Sequence, residues 1–161
     1  MAFFYRGKHI FFEPSVSGIG EPPFDLFSDV IVPGLMKAAP DANAYVFDPE
    51  NHNQYDDISA SGIVATSYVE PGNASSLPIT SPTITRDDPN GRTEYDGADT
   101  PYTIGGAVND TFDQVVITRE QTSGKSEANT ELIAHSTVGA TTTNGGTITL
   151  IWNAEGILQS T

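Results

Sequence analysis

From residue 62 onward the chain repeats one pattern: a short run rich in Thr, Val and Ile, then a turn signal. The candidate strands are 63–69, 83–87, 92–96, 112–119, 132–138 and 147–152. Asp88-Pro89-Asn90-Gly91 is the strongest turn between two of them. Pro presets the first turn position and Gly accepts a positive φ, so 83–87 and 92–96 should form a hairpin. Residues 112–119 are almost continuously apolar, which predicts burial on both faces at Val115–Ile117. Thr143-Asn144-Gly145-Gly146 marks another turn, and 147–152 alternates, with Ile148, Leu150 and Trp152 on one face. The 161 residues include 15 Gly, 11 Pro and 18 Thr, a mixture that suits many short strands rather than a helix bundle. The expected fold class is all-β: a β-sandwich or jelly-roll-like barrel with an extended N-terminal arm.

The front of the chain has another character. Six of the eight Phe lie in residues 1–27: Phe3, Phe4, Phe11, Phe12, Phe24 and Phe27, joined by Tyr5 and Ile10. Pro14, Gly18, Gly20, Pro22 and Pro23 punctuate the same stretch, so a long helix does not fit. At most, residues 3–5 and 10–12 pair as a small hairpin. The division expected is an aromatic-rich arm, 1–27, and a single β-rich domain, 28–161. Each buried aromatic removes roughly 150–250 Å² from water. At about 25 cal/mol per Å², six of them give on the order of 20–35 kcal/mol before the cost of ordering. Such an arm needs cover, on its own domain or on a neighbouring subunit. After the arm, Val30-Ile31-Val32 reads as a strand ended by Pro33, with one helical turn over 34–39. Residues 41–57 are polar and acidic, with Tyr45–Phe47 as a short candidate strand.

Charge narrows the function classes. Twenty-one Asp plus Glu face seven Lys plus Arg, giving a net charge of −14. That balance repels phosphate backbones and anionic membrane surfaces, so neither nucleic acid nor membrane is an expected partner. No apolar run is long enough to span a bilayer, and the N-terminus lacks the continuous apolar core of a signal peptide. The expectation is a soluble protein made in the cytoplasm. Without Cys there is no disulfide framework, thiolate zinc site or thiol nucleophile.

Few residues suggest chemistry. Asp56-Asp57 and Asp87-Asp88 have the right donors for Ca²⁺, but Arg92 occupies what would be the fifth position of an EF-hand loop. His9, His52 and His135 show no short ligand spacing, and no G-x-S-x-G elbow occurs. The reading is therefore not an enzyme, with no catalytic residue, no metal and no cofactor.

Four ordered pieces carry a resemblance. They are Tyr55-Asp56-Asp57-Ile58 with Gly62 and Tyr68; Thr83–Asp87 with Glu94–Asp99; Phe112–Arg119 with Glu131–Ala134; and Gly146–Leu158, including Trp152-Asn153-Ala154-Glu155-Gly156. Together they resemble small structural proteins of tailed bacteriophage virions, most closely capsid decoration (cement) proteins. The resemblance implies a virion component on the capsid surface that binds the major capsid protein and stabilises neighbouring capsomers. It also implies self-association, as a homodimer or homotrimer. The alternative is a tail or fibre component that binds a host surface glycan. On the capsid reading, Phe3, Phe4, Tyr5, Ile10, Phe11, Phe12, Phe24 and Phe27 are the partner-binding residues. The first fifty or so residues depart from the resembled pattern.

Overall fold

A computed structural model describes residues 2–3, 29–63, 68–87, 89, 92–104, 109–120, 124–152 and 157–160. Nine strands are found among them: β1 (Ala2–Phe3), β2 (Val30–Lys37), β3 (Thr83–Asp87), β4 (Arg92–Asp96), β5 (Thr100–Thr103), β6 (Thr111–Glu120), β7 (Glu131–Thr142), β8 (Thr147–Leu150) and β9 (Leu158–Ser160). They form three antiparallel sheets, ordered β1-β7-β6-β2, β3-β4-β9 and β5-β8. The fold is all-β, as expected. The sheets do not close into a barrel.

Strand β6 organises the body. It pairs with β7 on one side and β2 on the other, and its side chains are buried in both directions. Val115 and Ile117 face a main cluster with Ile31, Leu35, Tyr102, Ile133 and Leu150, which draws on all three sheets together with Tyr95 and Ile157. Val116 points the other way, into a second cluster with Met36, Tyr45, Tyr55, Ile58 and Leu132. A continuously apolar strand has no solvent face to offer, and here both faces are covered.

The predicted stop at Pro33 does not occur. β2 runs eight residues, straight through Pro33-Gly34, and the expected helical turn over 34–39 is absent: strand continues to Lys37. The reason lies at the sheet edge. The carbonyl of Ile31 accepts the Ile79 N–H, and that of Leu35 accepts the Ile63 N–H. The Pro33 carbonyl accepts the Tyr102 hydroxyl at 3.0 Å, and the Leu35 N–H donates to the Tyr68 hydroxyl at 2.9 Å. These odd-numbered residues turn their backbone groups away from β6. The missing N–H of Pro33 falls on that outward row, where no ladder bond is lost. Two buried tyrosines thus seal an edge that would otherwise be free to pair.

Strands β3 and β4 pair antiparallel, as expected, from Thr83 opposite Asp96 to Asp87 opposite Arg92. Tyr45–Phe47 is not a strand, although it alternates in burial: Tyr45 is buried and Val46 exposed. Ile63, Tyr68 and Val69 lie outside any strand, and 64–67 fall outside the described residues. The 147–152 run stops as a strand at Leu150, and β8 pairs with β5. Ile148, Leu150 and Trp152 pack on the main core, as the alternation predicts, while Ile151 is 78% exposed. The indole N–H of Trp152 donates to the Ala98 carbonyl at 3.2 Å.

Candidate interaction surface

Of the eight predicted partner-binding residues, the structure describes Phe3. Phe4, Tyr5, Ile10, Phe11, Phe12, Phe24 and Phe27 lie outside the described residues, as does the second strand of the expected hairpin. Phe3 sits in β1, its backbone opposite Ala134 of β7, with Ala2 opposite His135. The start of the aromatic segment is thus joined to the sheet of its own chain.

Its far end is fixed as well. Asp29, just before β2, places its carboxylate 2.9 Å from Nε of Arg119. Arg119 also pairs with Glu131 at 3.2 Å, so one guanidinium ties the entry of β2 to the start of β7. Its side chain is almost fully buried, where a fork of N–H donors serves two carboxylates better than a single ammonium would. The next residue, Glu120, is 2% exposed and has three partners. It accepts the Gly72 N–H at 2.6 Å and the Ser76 hydroxyl at 2.7 Å, and pairs with Lys125 Nζ at 2.7 Å. A carboxylate in this position is tolerable because its lone pairs are met and its charge is countered.

The two tethers stand at the same end of the sheet. β1 runs antiparallel to β7 and so heads toward Glu131, while β2 begins opposite Glu120. Three strand spacings separate them laterally, about 14 Å. The 25 residues between Phe3 and Asp29 could reach roughly 80 Å if extended. The chain available is several times what the crossing requires.

Beside β1, an aromatic group lies against β7. The rings of Phe47 and His135 stack with centroids 4.0 Å apart and 3° between planes. Tyr45 meets His135 edge-on at 6.3 Å and lies 6.1 Å from His52. Burial, and then the negative charge of Asp48, push the Tyr45 hydroxyl well above its ordinary pKa. His135 lies in β7 and is half-buried against these rings. A shallow apolar cavity of about 200 Å³ opens between the sheets, lined by Val115, Ile117, Val138, Leu150, Ile151 and Trp152. The exposed large apolar side chains among the described residues, Val46, Leu77, Ile84 and Ile151, come from four separate stretches of chain.

Asp57, one of the candidate calcium carboxylates, accepts the N–H groups of Asn53 and Gln54 at 2.9 and 3.0 Å. It caps a short 3-10 turn, Tyr55–Asp57, which presents Tyr55 to the second cluster. Among the described residues, no three His, Asp or Glu side chains gather as a metal site. The residues that hold the aromatic segment, Asp29, Arg119, Glu131 and Ala134, were not singled out from sequence. One signal was available: an arginine and a glutamate directly after Val115–Thr118 imply charges carried into the interior, which demand partners. Comparison with family models, curated proteins and solved structures gives no match.

Proposed function

We propose that this chain is a capsid decoration protein of a tailed bacteriophage. It binds the outside of the major capsid protein shell and stabilises neighbouring capsomers. The observation that carries the reading is the aromatic-rich segment 4–28, whose two flanking tethers stand at one end of the same sheet and which is far longer than the crossing between them. Six phenylalanines within residues 1–27 supply the apolar area for adhesion, and tethering reduces the entropy lost when the segment docks. The body behind it is a strand framework with apolar clusters on both faces of β6, suited to a part whose work is mechanical. A net charge of −14 disfavours contact with packaged nucleic acid.

Stoichiometry in purified particles tests this directly. A decoration protein is present in hundreds of copies per particle, in fixed ratio to the shell protein. A handful of copies points instead to a tail or fibre component, and absence from particles rejects both. Replacing Phe11, Phe12, Phe24 and Phe27 together by Ser should abolish shell binding while leaving the far-UV spectrum of the body unchanged. Unaltered binding by that variant removes the segment from the role.

A further inference from the structure

We infer that Asn144 is a modification site: in the folded protein its side-chain amide is lost spontaneously through a cyclic imide, which leaves the β7–β8 turn with either an aspartate or a lengthened main chain. Asn144 and Gly145 are exposed, in the link between Thr142, the last residue of β7, and Thr147, the first of β8. Oδ1 of Asn144 accepts the Gly146 N–H at 3.2 Å. This bond closes an Asx turn, a ring that contains both the side-chain carbonyl carbon and the Gly145 nitrogen, and it folds the amide back over the peptide group it must meet. The same N–H stands where negative charge collects on Oδ1 when that carbon is attacked. Gly145 has φ +84° and no Cβ to crowd the approach. Asn73 is the internal control. It is exposed too, and its Oδ1 accepts the Ser75 N–H at 3.1 Å in the same kind of turn, but the residue after it is Ala74, whose Cβ stands beside the attacking nitrogen.

The chemistry needs water alone. The Gly145 nitrogen gives its proton to solvent and bonds to Cγ of Asn144; the bond from Cγ to the side-chain nitrogen breaks, and ammonia leaves. Water then opens the imide at one of its two carbonyls. Opening at Cγ gives aspartate with the main chain unchanged. Opening at the backbone carbonyl gives isoaspartate, in which the chain runs through Cβ and Cγ and is longer by a methylene.

The fold makes these two products unequal. The turn is pinned on both sides: the Thr143 N–H donates to the Asp110 carbonyl at 2.8 Å, and the Gly146 carbonyl accepts the Ile104 N–H at 3.0 Å. An extra methylene must be taken up between those anchors. Thr143 is fully buried and Gly146 exposed, so the bond between Gly146 and Ile104 is the one that gives. Aspartate keeps the spacing, and its carboxylate still accepts the Gly146 N–H.

The inference is independent of the decoration reading and is tested on the isolated chain. The unaltered protein is held folded in mildly alkaline buffer, beside a free peptide of residues 141–148, and mass mapping follows amide loss at each Asn. A second Asn-Gly pair, Asn90-Gly91, lies outside the described residues and is mapped separately. In the folded protein Asn144 should lose its amide at least about tenfold faster than Asn73, and no more than about tenfold slower than in the free peptide. A smaller lead over Asn73, or a larger lag behind the peptide, overturns the inference, because either means that the turn shields the amide. The isoaspartate fraction of aged protein, marked by an isoaspartate-specific methyltransferase, is then compared with N144D by hydrogen exchange. The Ile104 amide should exchange at least about tenfold faster in the isoaspartate form than in N144D. A smaller difference overturns the claim that the fold tolerates one product and not the other.

Discussion

Arg119 and Asp29 are ninety residues apart in sequence and 2.9 Å apart in space, and their contact fixes where the aromatic segment rejoins the sheet. Arg119 also holds Glu131, so its removal takes one guanidinium from two carboxylates in a mostly buried position. R119A should destabilise the fold by about 3 kcal/mol, the usual cost of breaking a buried ion pair from one side. D29A should cost nearer 1 kcal/mol, because Arg119 keeps Glu131. Urea denaturation of both variants gives the comparison; equal losses would mean that the Asp29 tether matters as much as the interior pair.

The Glu120 network predicts an order that side-chain exposure alone would reverse. Lys125 is the more accessible partner, yet its loss leaves a fully enclosed carboxylate without a counter-charge. E120Q keeps the shape and accepts the Gly72 N–H, while it removes the charge altogether. K125A should therefore cost about 3 kcal/mol and E120Q less. Gly72 belongs to the same network. It has φ +84°, and an added Cβ would lie 2.6 Å from the Glu127 nitrogen, so G72A must displace backbone and disrupt the cradle. Chemical denaturation ranks the three variants.

Glu70 gives an acid-side prediction. Burial, and then repulsion from Glu127, raise its carboxyl above the ordinary 4.5. The folded state thus holds its proton more tightly than the unfolded chain. The stabilisation is complete below the ordinary value and is lost as pH rises through the raised one. E70Q should stabilise the protein at pH 7, by no more than about 1 kcal/mol for a half-buried group, and should weaken the fall in stability above pH 4.5. Thermal melts of both proteins between pH 4 and 7 would show it; parallel curves would contradict it.

Tyrosine gives the alkaline counterpart. Tyr45, Tyr55, Tyr68, Tyr95 and Tyr102 all have hydroxyls pushed up chiefly by burial, Tyr95 to about 12. The neutral phenol is favoured in the folded state, so stability present below pH 10 is lost as pH rises toward 12 and beyond. Phenolate absorbance should lag the ordinary titration and then rise together with loss of the β-sheet signal. A simple titration centred on pH 10 with the sheet intact would show these rings to be accessible.

The pairing of 83–87 with 92–96 and the double burial at Val115–Ile117 were legible from sequence because each is signalled locally, by turn residues between two strand-forming runs or by an unbroken apolar run. Pro33 misled for the opposite reason. Whether proline ends a strand depends on which row of backbone groups it occupies and what lies beyond the edge, here Tyr102 and Tyr68, from distant parts of the chain. Strands β5 and β9 were missed because four- and three-residue runs carry too little periodicity to stand out from loops. Tyr45–Phe47 shows the converse: its alternation in burial is real, yet among the described residues its backbone contact with a strand is one bond, from the Tyr45 N–H to the Lys37 carbonyl at the end of β2, too little to make a ladder.

Residue order alone determined an all-β chain with its aromatics gathered at the front, its charge strongly negative and its turns placed by Pro, Asn and Gly. Those properties reside in single residues and near neighbours, so they survive without a partner in space. Tertiary structure alone decided that Phe3 rests opposite Ala134, that Asp29 is caught by Arg119, and that both ends of the aromatic segment therefore stand at one end of the same sheet. Such pairings arise from which strands meet and in what register, a choice made by the packing of the whole body rather than by any stretch of it.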